Sequence, residues 1–250
     1  MRILDLVPIT TNLWTDQVAA YVTRPLLPTT EVVPRWLEHG PASIEGEYDE
    51  VLAAPEVVMA CRQAERDGFD AVFVDCFGDP GVRAAREVVS IPVFGGFEPA
   101  VHYALGLADK IGVVTVLPHV VSLLNGLIAK AHLGDRVVSL RHVDIAVLDL
   151  SGLERLTDAL VEQAELAIER EGVGAIVLGC TAMVGVQEAV EARLRADGHP
   201  VPVVEAAQAS LLMLETFVRQ GWTQSRATYL PSRPKARTWW AEGGPVELGA

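Results

Sequence analysis

Short apolar runs punctuate the chain, and each is closed by a turn-forming or polar residue. They fall at Arg2-Ile3-Leu4-Asp5-Leu6-Val7, Phe69-Asp70-Ala71-Val72-Phe73-Val74-Asp75, Ile91-Pro92-Val93-Phe94-Gly95-Gly96, Asp109-Lys110-Ile111-Gly112-Val113-Val114-Thr115, Val173-Gly174-Ala175-Ile176-Val177-Leu178-Gly179 and Val201-Pro202-Val203-Val204-Glu205-Ala206. Runs this short and this rich in Val and Ile read as parallel strands buried on both faces. Between them the apolar spacing turns helical. Helices are expected from about Pro55 to Asp67, with Val57, Val58, Cys61 and Ala64 on one face, then over Val82–Val89, Glu98–Ala108, Leu156–Glu171 and Ala207–Arg219. Strand alternating with helix specifies an α/β fold built on parallel sheet. Residues 24–50 hold several prolines and read as one long irregular loop.

The pattern repeats. The run ending at Cys76 matches the run ending at Cys180, and their flanking strands and helices match in the same order. A period of about one hundred residues is too long for a solenoid and suits two similar lobes. The expected architecture is therefore two pseudosymmetric lobes, each a small parallel sheet flanked by helices, with the active site in the cleft between them. Residues 1–97 plus 206–250 form the first lobe and residues 98–205 the second. The last helix would return to the first lobe, with Tyr229, Trp239 and Trp240 as anchors, and Glu242-Gly243-Gly244-Pro245 would be a frayed tail.

Composition narrows the function. The 250 residues are 50% hydrophobic, enough for a sizeable core, and carry a formal net charge of −13. Such a balance, with no Lys/Arg cluster, argues against a nucleic-acid partner and for a small-molecule ligand. A first strand at the amino terminus leaves no basic-then-apolar signal segment, and no apolar run is long enough to span a bilayer. The expectation is a cytoplasmic protein without a membrane partner. Three cysteines, Cys61, Cys76 and Cys180, are too few for a disulfide framework and lack zinc-site spacing. The six histidines show no metal-ligand spacing either, so no metal is assigned. Neither a glycine-rich dinucleotide fingerprint nor Gly-x-Ser-x-Gly is present.

Position gives two of the thiols a chemistry. A residue just past the carboxyl end of a parallel strand lies where open α/β sheets place ligands. A lone cysteine is more often a small core residue, which suffices for Cys61. Two equivalent cysteines brought across one cleft by duplication can instead face a small ligand from opposite sides. Opposed thiols suit racemisation, in which a thiolate takes a proton from one face of a carbon acid and a thiol delivers one to the other. The helix following each cysteine is expected to lower its thiol pKa, and the N–H groups of Phe77, Gly78, Thr181 and Ala182 can hold the oxygen that gains charge. No cofactor is needed for that step. Pro8-Ile9-Thr10-Thr11-Asn12 either faces the crevice or caps the next helix, and the residues leave both open. The acidic run Glu45, Glu47, Asp49, Glu50 reads as a solvated face, with Ser43 and Ile44 before it able to line a lid.

These residues resemble the aspartate/glutamate/hydantoin racemase superfamily, and within it the hydantoin and allantoin racemases. The resemblance spans nearly the whole chain and is carried by Gly40-Pro41-Ala42-Ser43-Ile44-Glu45-Gly46-Glu47-Tyr48-Asp49-Glu50, Cys76-Phe77-Gly78-Asp79-Pro80-Gly81, Ile111-Gly112-Val113-Val114-Thr115 and Leu178-Gly179-Cys180-Thr181-Ala182-Met183. It implies two α/β lobes, a cofactor-independent two-cysteine mechanism with Cys76 and Cys180 catalytic, and a homo-oligomer, dimer or larger. Candidate substrate contacts are Pro8, Thr11 and Asn12 after the first strand, and Ile44 in the following loop. Phe77 and Gly78, Thr115, and Thr181 and Ala182 complete the set. Where the family commonly has Asn-Pro-Asn, this chain has Val7-Pro8-Ile9, so only Pro8 matches. Phe77-Gly78 after the first cysteine follows the hydantoin branch, whereas Cys180-Thr181 is closer to the amino-acid branch. The expected activity is racemisation of 5-substituted hydantoins or a related ureide such as allantoin. The alternatives are an aspartate/glutamate-type racemase, a decarboxylase or isomerase on the same scaffold and, last, a binding protein.

Overall fold

A computed structural model describes residues 1–12, 15–241 and 244–248, with side chains described up to Arg237. The first sheet is parallel, in the order β2-β1-β3-β4, from β1 (Arg2–Val7), β2 (Glu31–Trp36), β3 (Ala71–Val74) and β4 (Val93–Phe94). The second is parallel too, in the order β6-β5-β7-β8, from β5 (Ile111–Thr115), β6 (Val137–His142), β7 (Ala175–Leu178) and β8 (Val203–Val204). Every residue of β3 and β7 is buried, as continuous apolar runs require. The registers repeat as well. Ile3 pairs with Ala71 and Ile111 with Ala175, and Cys76 and Cys180 each lie five residues beyond those pairs.

Helices cover both sheets: α1 (Asp16–Thr23), α2 (Glu47–Arg66), α3 (Val82–Val88), α4 (Phe97–Leu107), α5 (Pro118–Lys130), α6 (Leu153–Glu171), α7 (Gln187–Ala196) and α8 (Ala206–Gln220). α4 and α8 pack against each other. Their buried faces are rich in alanine, which lets helix axes approach closely. α8 serves both sheets, because Ala206 and Ala209 join the core of the second while Ala207, Leu211 and Leu214 join that of the first. We propose that the lobes divide as 1–97 with 206–250, and 98–205.

Three local expectations are corrected. The stretch read as an irregular loop contains β2, an edge strand whose partly buried Val32, Val33 and Pro34 pair with β1 alone. Proline is tolerated there because an edge strand leaves its other side unpaired. α2 begins at Glu47, two turns before the expected start, and Pro55 lies inside it. Glu47, Asp49 and Glu50 occupy its first turn, where carboxylates oppose the positive end of the helix dipole. Finally, Gly244 and Pro245 begin β10 (Gly244–Leu248), which pairs antiparallel with β9 (Arg237–Ala241), so half of the expected tail is strand. Glu242 and Gly243, and the side chains of Trp239 and Trp240, lie outside what is described. Tyr229 does anchor the carboxyl-terminal segment: its hydroxyl accepts from Arg86 at 3.0 Å, and Arg86 is also paired with Glu98.

Candidate active site

In each sheet the chain order reverses between the two central strands, and their carboxyl ends open a crevice. Pro8 and Cys76 follow β1 and β3. Val116 and Cys180 follow β5 and β7. All four line one cavity of about 560 Å³, so the two equivalent strand ends meet in a shared site. Ile44, Phe77, Gly78, Thr181 and Ala182, all candidate substrate contacts, line it with them. Most of the wall is apolar, from Val7, Ile9, Val120, Leu123, Val147 and Leu150 among others, and no Lys or Arg contributes among the described residues.

The turns that carry the thiols are fixed by close backbone approach. Gly96 donates its N–H to Cys76 O at 3.0 Å, and a Cβ on Gly96 would stand 2.9 Å from Thr181 Cγ2 and 3.1 Å from Phe77 Cα. On the other side, a Cβ on Gly179 would fall 2.6 Å from Val113 Cγ1. All three distances are tighter than ordinary contact, so only glycine lets the cysteine turns sit this near their neighbours. Asp79 reaches from the Cys76 turn to accept the Phe97 N–H at 3.0 Å, serving the start of α4, whose own cap residue is Gly96. Phe77 packs edge-to-face on Phe97, with ring centroids 5.6 Å apart, a contact worth about 1 kcal/mol beyond its buried area.

Both cysteines are free and partly exposed to the cavity. Burial pushes the Cys180 thiol up to about 12, against the opposing pull of the Ala182 and Met183 N–H groups. Burial likewise raises Cys76 well above the ordinary thiol value, partly offset by the Gly78 N–H, with the Cys180 charge adding to the rise. The expected lowering by the following helix is not what the fold provides. α3 starts at Val82 and α7 at Gln187, beyond an intervening turn in each case, so the helix ends are too distant to outweigh desolvation.

Other expected contacts fall elsewhere. Thr115 is fully buried, and its hydroxyl donates to Gly179 O at 2.8 Å, so it supports the Cys180 turn rather than touching a ligand. Thr11 is partly exposed and Asn12 exposed, and neither lines the cavity. Glu45 is not on a solvated face. Its Oε1 accepts the Val147 N–H at 2.9 Å, while its own N–H donates to Asp49 Oδ2 at 3.0 Å. This places the loop bearing Ile44 against the turn Val147–Asp149 of the other sheet's surround.

Sequence reasoning missed a buried acidic group beside Cys76, made of Asp5, Asp75 and Glu205. Asp5 and Glu205 are at most 4% exposed, and Asp75 lines the cavity. Burial lifts Asp75 to about 6 and Glu205 to about 7, and raises Asp5 further with help from both neighbours' charges. Asp5 as the lone polar residue in a run buried on both faces, and Asp75 directly before a strand-end cysteine, were readable signals. No group of three or more His, Cys, Asp or Glu able to hold a metal occurs among the described residues.

A two-sheet α/β fold with paired strand-end thiols defines the class, and the chain belongs to the Asp/Glu/Hydantoin racemase family, whose model matches residues 3–214. Among curated relatives, it is 36% identical over 202 residues to a hydantoin racemase of Pseudomonas sp. (strain NS671), covering 79% of this chain and 78% of that one. A hydantoin racemase of Paenarthrobacter aurescens is 32% identical over 229 residues, covering 91% and 95%. Among solved structures, an allantoin racemase from Pseudomonas fluorescens superposes with a TM-score of 0.86 at 34% identity, covering 94% of this chain and 98% of that one. Arylmalonate decarboxylase, at 20% identity and a TM-score of 0.64 with 92% and 97% covered, shares the fold. No helix among the described residues is long and apolar enough to cross a membrane.

Proposed function

We propose that this protein is a cofactor-independent racemase of 5-substituted hydantoins or a related cyclic ureide. The observation that carries the reading is the pair Cys76 and Cys180, set at equivalent strand ends on one largely apolar cavity in a member of this family. One cysteine, as thiolate, takes the proton from the ring carbon beside a carbonyl. The electron pair delocalises into that carbonyl, whose oxygen gains charge and is held by backbone N–H groups of the cysteine turns. The opposing thiol gives its proton to the other face, leaving the enzyme with its thiolate on the second cysteine. The roles exchange for the other enantiomer. A thiol whose pKa is pushed up to about 12 is seldom ionised at neutral pH, but its thiolate is a strong base suited to a weak carbon acid. The largely apolar wall, with no Lys or Arg among the described residues, favours a neutral ring over an amino-acid dianion. We place the protein in the cytoplasm, acting on a small molecule as a homo-oligomer.

The test is to incubate single enantiomers of several 5-substituted hydantoins, allantoin, aspartate and glutamate in D₂O, following optical rotation and deuterium uptake. Hydantoin-type substrates should lose rotation and gain deuterium. Cys76→Ser and Cys180→Ser should each abolish racemisation, with residual exchange confined to opposite enantiomers. Full activity in either variant would overturn the two-thiol mechanism.

A further inference from the structure

The acidic group beside Cys76 breaks the duplication that organises everything around it. By the strand registers, Asp5 corresponds to Val113 in the second sheet, Asp75 to Gly179 and Glu205 to Gly95. The first sheet therefore contributes two carboxyls and the end of β8 the third, and none of the three has an acidic counterpart at its equivalent position. Glu205 has an evident structural task, since its oxygens accept the N–H groups of Ala207 and Gln208 at 3.0 and 2.9 Å and cap α8. Asp5 has no comparable task, and the Asp75 carboxyl has only the Thr181 hydroxyl, whose hydrogen bond opposes the pKa rise that burial causes. Both oxygens of Asp5 and the Oδ1 of Asp75 are buried without a hydrogen-bond partner among the described residues. Thr181, on the far side of the cleft, donates its hydroxyl to the Asp75 carbonyl oxygen at 3.2 Å. Of the two acids only Asp75 lines the cavity, one residue from a thiol.

An unpaired buried carboxylate costs stability, roughly 1–3 kcal/mol for a lost hydrogen bond and more when charged. Such a cost is commonly retained where a group meets a ligand. The cavity offers its ligand few other acceptors, and a second negative charge next to Cys76 opposes the thiolate that the chemistry needs. A ligand N–H donor would pair the carboxylate oxygen that the fold leaves without a partner. An amino acid would bring its own carboxylate to a wall that holds an acid and no Lys or Arg among the described residues. A neutral cyclic amide brings donors alone.

We propose that Asp75 is a specificity-determining residue that accepts a hydrogen bond from a ring N–H of the substrate. This rests on the hydantoin or ureide reading above and names the contact that orients the ring. The apolar walls are left for the 5-substituent, and Asp5 stands behind Asp75 as a buried partner that modulates its charge. The contact is present in the bound ground state as well as in the transition state, so its loss acts mainly through binding.

The test compares wild type, Asp75→Asn and Asp75→Ala on 5-benzylhydantoin and on its N1-methyl and N3-methyl derivatives, with urea unfolding of all three proteins at pH 8. Wild type should reject one of the two methylated rings at least tenfold in kcat/KM relative to the parent. Asp75→Ala should raise KM for the parent at least tenfold, change kcat little and lose that discrimination. Asp75→Asn, which keeps an acceptor oxygen, should recover part of the affinity. Both variants should be at least as stable as wild type, whereas a structural role would make them less so. An active wild type whose discrimination and KM survive in Asp75→Ala overturns this assignment alone. A wild type inactive on every hydantoin overturns the underlying reading and this assignment with it.

Discussion

Thr115 separates a substrate contact from a support beneath the site. Its hydroxyl, fully buried at the end of β5, donates to Gly179 O at 2.8 Å, immediately before Cys180. Thr115→Val keeps the branched shape and replaces the donor with a methyl group. The Gly179 carbonyl then faces that methyl, and the penalty for an unpaired buried acceptor is about 1–3 kcal/mol. At this chain length, each kcal/mol lowers Tm by roughly 2–4 °C. The Gly179 turn has little room to adjust, because Val113 and Thr115 already crowd it, so a shift would pass to the Cys180 sulfur. The expected result is a Tm lower by several degrees and kcat lower by about tenfold, a loss of the kind a misplaced reacting group produces. KM should stay within twofold. Thr115→Ser restores the donor and should restore most of both quantities. Thermal unfolding and initial racemisation rates suffice to measure this. A Thr115→Val protein with unchanged Tm and a raised KM would refute the reasoning and return Thr115 to the substrate-contact list.

Two further outcomes concern pH. Since burial raises both thiols, kcat/KM should climb about tenfold per pH unit through neutrality and show no plateau below about pH 9, the ordinary thiol range; a plateau by pH 7.5 in a pH–rate profile would mean that a thiol is activated by something other than the groups around it. Glu205 rises from 4.5 in the unfolded chain to about 7 in the fold, so its contribution to stability is complete below 4.5 and is lost as pH climbs through about 7. The loss is about 3 kcal/mol by pH 8, and the raised Asp5 and Asp75 act in the same direction. Glu205→Gln keeps an acceptor for the start of α8, so urea unfolding at pH 5 and pH 8 should show a smaller difference than in wild type. An unaltered difference would mean that Glu205 is ionised throughout.

The repeated strands were legible because a parallel strand buried on both faces must be an unbroken apolar run, and β3 and β7 are such runs. That property also located the cysteines. β2 lacked it, since an edge strand half in solvent can carry Glu31, Pro34 and Arg35 and still pair along its whole length. The start of α2 was hidden by Pro55, which reads as a first-turn residue although two turns precede it. Thr11 and Asn12 were placed by their position after a strand end and Thr115 by resemblance, and neither signal gives the direction of a side chain. The Thr115 side chain turns into the sheet junction, and Thr11 and Asn12 are not on the cavity wall, although Thr15, Gln17, Val18 and Tyr21 further on are.

The acidic group was hardest to see, because its members lie 70 and 130 residues apart and meet only when β1, β3 and the start of α8 are brought side by side. It also limits what the duplication can mean. Cys76 and Cys180 occupy equivalent positions but not equivalent surroundings: the charge of Asp75 reaches both thiols, while that of Asp79 adds at Cys76 and that of Glu45 at Cys180. The two half-reactions therefore pass over unequal barriers. Racemisation nonetheless has an equilibrium constant of one, so kcat/KM must be equal for the two enantiomers however lopsided the site. Any asymmetry must appear as paired differences, in which the enantiomer bound more tightly turns over more slowly. A one-sided carboxyl such as Asp75 can thus choose which molecules enter and how firmly each enantiomer is held, without favouring either direction of the reaction.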